Sequence, residues 1–113
     1  MHARIGIFEA APQALLAVVD FFRDRVVLAF SKHQGFLGYE AYVDRERGRF
    51  VGISLWATRS DLEASGETAR LALRDAAALG AVTVGEPQIL GQVKDAFAVA
   101  SDAGTVVSAD PTI

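Results

Sequence analysis

The segment from Phe36 to Ala57 constrains this chain more than any other. Two runs, Phe36–Asp44 and Arg49–Ala57, are rich in aromatic and β-branched residues and change character every second position, as strands with a buried face do. Between them, Arg45-Glu46-Arg47-Gly48 is charged and ends in glycine, which suits a three-residue hairpin loop with Gly48 in the left-handed conformation. Such a loop pairs Arg45 with Arg49, and therefore Tyr42 with Gly52, Glu40 with Ser54 and Gly38 with Trp56. That register gathers Leu37, Tyr39, Ala41 and Val43 on one face with Val51, Ile53 and Leu55, nearly all apolar. A slip of one residue would mix the two faces. The hairpin commits the chain to an antiparallel sheet.

The flanking segments supply the rest of a small α+β domain. Residues 3 to 8 alternate as a short strand. Pro12 opens a helix running to about Lys32, with Leu15, Val19, Phe22, Val26 and Phe30 in one stripe, widened by Leu16, Val18, Val27 and Leu28. Gly35 stops it. Ser60-Asp61-Leu62-Glu63 reads as a capping box, and the helix it opens ends near Gly80, with Gly66 in its middle. Gly66 reads either as close helix packing or as backbone making room for a ligand. A last extended stretch spans about Val84 to Val99, interrupted at Pro87. Residues 101–113 read as a flexible tail after a domain of residues 1–100.

The order strand, helix, strand, strand, helix, strand predicts a ferredoxin-like βαββαβ sheet with two helices on one face. The odd-numbered face would lie under the helices. The even-numbered face, with Arg4, Gly6, Phe8, Glu40, Tyr42, Phe50, Ser54 and Trp56, is too aromatic to face water and is expected to meet a partner.

Composition agrees that something must be covered. Of 113 residues 51% are hydrophobic and 22% charged, more apolar than one small core needs, since a domain this size hides only about two-thirds of its unfolded surface. A net charge of −3 argues against a nucleic-acid surface. No apolar run reaches the roughly 18 residues of a membrane span, and no signal peptide is evident, so a cytoplasmic location is expected. There is no cysteine, and the two histidines, His2 and His33, lack metal-ligand spacing, so no metal is expected. There is no glycine-rich phosphate loop and no nucleophile elbow.

The run Gly35-Phe36-Leu37-Gly38-Tyr39, the hairpin, then Ser54-Leu55-Trp56 and Ser60-Asp61-Leu62-Glu63-Ala64-Ser65 resemble the antibiotic biosynthesis monooxygenase (ABM) domain family across residues 3 to 99. The resemblance implies a dimeric α/β barrel, hence a homodimer, with a pocket between sheet and helices in each half. It also implies a monooxygenase-like activity without a cofactor on an aromatic or phenolic molecule. The family's catalytic patterns are not matched. Haem-degrading members use an asparagine and a histidine on the second helix; this chain has no asparagine, and neither histidine lies there. Quinone-forming members use an asparagine, a tryptophan and a later tyrosine; Trp56 fits, but Gly52 stands four residues before it and no tyrosine follows Tyr42. Related polyketide cyclases use a first-strand histidine, which His2 only approximates.

The residues nominate a site by parity. Glu40, buried, could act as the general base, with Arg4 either its structural ion-pair partner or the group that stabilises a substrate anion. Trp56 offers a flat wall for a ring or fills the core, and Tyr42, Ser54 and Phe50 complete the ligand-binding patch. His33 reads as a helix-end residue, and Arg45, Arg47 and Arg49 as a solvated hairpin tip. The alternative is a non-catalytic dimeric barrel that binds a small aromatic or serves in assembly.

Overall fold

A computed structural model of the protein describes residues 1–93. The predicted order holds. Strand β1 (His2–Glu9) leads into helix α1 (Pro12–Phe21), a π-helical turn (Phe22–Val26) and helix α2 (Val27–Ser31). The hairpin β2 (Phe36–Asp44) and β3 (Arg49–Trp56) follows, then helices α3 (Arg59–Ala64) and α4 (Gly66–Ala78) and the short strands β4 (Val82–Thr83) and β5 (Gln88–Gly91). The sheet order is β2-β3-β1-β4, all pairs are antiparallel, and β5 continues β4 along the same edge of β1. The fold is the predicted α+β, ferredoxin-like one. The expected strand beyond residue 93 and the tail from residue 101 lie outside the described residues.

The hairpin register departs from expectation by one residue. Asp44 pairs with Arg49, Tyr42 with Val51, Glu40 with Ile53 and Tyr39 with Ser54, which leaves four residues in the loop. The reason is electrostatic. The expected loop set Arg45 opposite Arg49, a like-charge pair. The observed one sets Asp44 there, while Arg49 also reaches Glu9 of β1 at 2.7 Å. Asp44 closes the loop as well, accepting hydrogen bonds from the Arg47 backbone N–H (3.2 Å) and side chain (2.8 Å). Gly48 does adopt the left-handed conformation, φ 65°, and its carbonyl accepts the Ala10 N–H at 2.8 Å.

The helices cover the face of β1 and β3 opposite to the one expected, and the slip sets the odd-numbered Tyr39 of β2 on that same side. The even-numbered residues of β1 and β3 lie under the helices, with Phe8, Phe50, Ser54 and Trp56 all buried. Phe8, Phe22 and Phe50 form an aromatic knot with ring centroids 5.0–5.8 Å apart. On β2 the odd-numbered Tyr39 joins them, and a bulge between Phe36 and Gly38 changes the parity again, so Phe36 also packs inward on Trp56 at 5.3 Å. Leu37, in the bulge, is exposed. The opposite face carries Ile5, Ile7, Val51, Ile53 and Leu55, half-buried, together with exposed Glu40 and Tyr42. The apolar excess therefore lies on the odd-numbered face of β1 and β3, not the even one.

The helices also differ in detail. Val18, Phe22, Val26 and Phe30 are buried at successive four-residue steps, whereas Leu16 and Leu28 stay exposed. In an α-helix each such step drifts by about 40°; the wider π turn lets Phe22, Val26 and Phe30 keep facing the sheet. The second helix is capped by Thr58, whose hydroxyl accepts the Asp61 N–H at 3.0 Å, rather than by Ser60. It breaks at Ser65, so Gly66 begins α4 instead of interrupting a continuous helix. A Cβ on Gly66 would meet nothing within 4 Å, which supports neither close packing nor a ligand there.

Candidate functional site

The break at Ser65 builds one wall of a cavity. Where the helix stops, the Leu62 carbonyl accepts from the Arg4 guanidinium at 2.7 Å and from the Ser65 hydroxyl at 2.6 Å. Ser65 Oγ, fully buried, accepts a second Arg4 N–H at 3.0 Å. The guanidinium also lies 5.9 Å above the Phe30 ring. All these partners are neutral. Burial lowers the Arg4 pKa from its ordinary value, and no carboxylate opposes that shift. Arginine nonetheless keeps its charge, so a half-buried cation stands in the wall without a counter-ion among the described residues.

Arg4, Tyr39, Gly52, Ser54 and Pro87 are among the residues lining a cavity of about 40 Å³ between the sheet and the helices, closed by phenylalanines and small residues of α4. That volume holds about three waters, well short of the roughly 300 Å³ of an ordinary ligand pocket. Its outer edge is Pro87, in the connection between β4 and β5, where residues 84–87 are exposed.

Of the residues nominated from sequence, Arg4 and Ser54 come together in this cavity. Trp56 and Phe50 lie beside it in the core, 0% and 1% exposed, and are not among the residues that line it. The Trp56 indole N–H donates to Ser54 Oγ at 2.9 Å, and its ring meets Phe30 edge-on at 5.5 Å. Glu40 and Tyr42 are on the other face of the sheet, exposed, with a long contact of 3.4 Å from the Tyr42 hydroxyl to Glu40. Glu40 is thus neither buried nor the partner of Arg4. His33 follows the helix end, but rather than lying exposed its ring is half-buried, contacting the Thr68 hydroxyl at 2.7 Å and lying edge-on to Trp56 at 6.2 Å. Among the described residues no cluster of three metal-ligating side chains occurs, and no helix is long and apolar enough to cross a membrane.

Parity concealed one residue. Tyr39 lines the cavity, its ring inclined by 25° to that of Phe22 and 29° to that of Phe30, with centroids 6.4 Å from each. Burial pushes its phenol pKa well above the ordinary value. The clue in the sequence was Gly52, because a glycine inside a strand marks the close approach of another group.

The sheet order and the helical layer define an α+β fold of the ABM type. The chain superposes on SnoaB, a cofactor-independent oxygenase from Streptomyces nogalater, with TM-score 0.61 and 16% identity, covering 80% of this chain and 91% of that one. A monooxygenase from Streptomyces coelicolor in complex with nanaomycin D gives TM-score 0.59 at 16% identity, covering 79% and 82%. An antibiotic biosynthesis monooxygenase gives 0.58 at 22%, covering 80% and 94%. By sequence, residues 24–109 match the family "Glutamyl-tRNAGlu reductase, N-terminal domain", and on that partial match the chain belongs to this family. Glutamyl-tRNA reductases from Shewanella amazonensis and Pseudomonas aeruginosa are 55% and 52% identical to it, but over 40 residues, 35% of this chain. The chain spans about a tenth of the length of these relatives. The structural likeness carries the fold, and the sequence match carries kinship of a segment.

Proposed function

We propose that the cavity binds a flat aromatic molecule bearing an anionic oxygen, and that the protein oxidises it in the manner of a cofactor-free monooxygenase. One observation carries this reading: Arg4, half-buried in the cavity wall, is held only by neutral acceptors. A half-buried guanidinium without a counter-ion among the described residues suits a phenolate, enolate or carboxylate. The cavity is too small for a ring as it stands, so binding one requires Pro87 at its edge to move. The electron-rich anion itself would reduce oxygen, and the protein would contribute binding, orientation and exclusion of water. Oxygen uptake with anthrone- and quinol-type substrates that are ionised at the assay pH is the test, since no acidic side chain among the described lining residues would deprotonate a neutral one. Glu40→Gln should leave any uptake unchanged, because Glu40 is on the far face. Loss of uptake in that variant would return Glu40 to the mechanism, and binding without uptake across the panel would make the protein a binding barrel.

The odd-numbered sheet face is best covered by a second copy of the chain. Ile53→Asp, in the centre of that face, should convert a dimer to a monomer in sedimentation equilibrium; an unchanged mass would place the interface elsewhere.

The family match supports a second reading, action on glutamyl-tRNA as part of a reductase. A gel shift with glutamylated tRNA separates the two, and the net charge of −3 predicts no shift.

A further inference from the structure

We propose that Tyr39 is a ligand-contacting hydrogen-bond donor of this cavity, admitted by the absence of a side chain at Gly52, and that with Arg4 it selects acceptor-rich rings over neutral phenols. The inference rests on the cavity reading above and narrows its ligand class.

The geometry is specific. Tyr39 and Ser54 are direct cross-strand partners, and Gly52 lies two residues along β3 on the same face. The Tyr39 hydroxyl occupies the space in which a Gly52 side chain would sit; a Cβ there would also stand 2.9 Å from Tyr39 Cζ and 3.2 Å from the Phe50 ring. The backbone at Gly52 is ordinary strand, so space and not backbone conformation demands glycine. The phenyl groups flanking Tyr39 leave its ring little freedom to turn away.

The chemistry of the lining then decides the ligand. Arg4 can only donate. Tyr39, its phenol kept protonated by burial, donates at any working pH. Ser54 Oγ accepts the Trp56 N–H and keeps its own proton to donate. None of the described lining residues is acidic, so none of them removes a proton from a neutral phenol. Three donors, Arg4, Tyr39 and Ser54, and no carboxylate fit a ring that arrives with its oxygens as acceptors: a hydroxyquinone anion or a quinone carbonyl.

The full chain, titrated with 2-hydroxy-1,4-naphthoquinone as its anion and followed by the visible band of that ring, tests this. The wild type should bind it at least tenfold more tightly than neutral 1-naphthol. Tyr39→Phe should weaken anion binding about tenfold, the loss of one hydrogen bond to a charged group. Gly52→Ala, which expels the hydroxyl, should weaken it by a similar factor, and the double variant no further. Thermal melts establish that each variant is folded; Tyr39→Phe keeps the ring and its packing and so decides the matter if Gly52→Ala does not fold. Wild-type affinity in Tyr39→Phe alongside weakened binding in Arg4→Met overturns the role of Tyr39 and leaves the cavity reading standing. No binding by the wild type, or none lost in Arg4→Met, overturns both.

Discussion

Trp56→Ala should lower the free energy of unfolding by about 3–5 kcal/mol, the usual cost of removing a buried large aromatic. Small domains have roughly 5–15 kcal/mol in total, so the variant should be close to the edge of folding. Two losses combine. The indole is fully buried among Phe30, Phe36 and His33, with centroids 5.3–6.2 Å away, so its removal opens a void that rigid rings fill poorly. Its N–H also satisfies Ser54 Oγ, 2% exposed, which would lose a partner. Trp56→Phe separates the terms: most of the volume is kept and the hydrogen bond lost, for about 1–2 kcal/mol. Denaturant unfolding measures both. A cost below about 1 kcal/mol for the alanine variant would mean that Trp56 is a yielding pocket wall, as its place before the second helix suggested, and not a core residue.

The element order was legible because each signal was local: Pro12, the left-handed Gly48 and Gly80, and the alternation of the hairpin strands. The register was not. Both faces of the sheet are apolar, so the pattern of β2 and β3 alone could not say which one the helices cover. The observed loop sets Asp44 opposite Arg49, and Asp44 also closes the turn on the Arg47 N–H and side chain. The opposed Arg45 and Arg49 of the expected loop were the available warning. Once the register moved by one, the proposed site divided. Arg4, Ser54, Phe50 and Trp56 stayed on one side of the sheet, and Glu40 and Tyr42 went to the other. A parity error costs every functional assignment on a strand, even when the strand itself is right. The bulge at Leu37 and the π turn are register devices of the same kind, resolved only by packing between elements. Family was also split between levels: the resemblance located the fold, while the kinship of a 40-residue segment with glutamyl-tRNA reductases escaped a reading based on strands and helices. Fold and function part company on this scaffold, so the site has to be argued from its side chains.

Arg4→Met should move stability and binding in opposite directions. A buried charge held by neutral groups stabilises a fold little, because the hydrogen bonds it makes are offset by its desolvation. Its removal leaves both polar groups with a hydrogen bond, since the Ser65 hydroxyl still donates to the Leu62 carbonyl at 2.6 Å, although Ser65 Oγ loses the N–H it accepts. Methionine matches the length and flexibility of the arginine stem and can pack its sulfur against the Phe30 ring where the guanidinium now lies. The unfolding midpoint should therefore stay the same or rise. Affinity for an anionic ring should fall by roughly 10- to 100-fold, the worth of about 1.5–3 kcal/mol for a charge-assisted hydrogen bond. Arg4→Lys should recover only part of it, because a single ammonium cannot hold Ser65, the Leu62 carbonyl and a ligand with the fork geometry of arginine. Denaturation and ligand titration on the same three proteins give both readings. If Arg4→Met unfolds the protein as readily as Trp56→Ala does, the arginine is there to pin the break between α3 and α4 to the sheet. If it raises stability and abolishes binding, the unpaired charge is kept for the ligand at the expense of the fold.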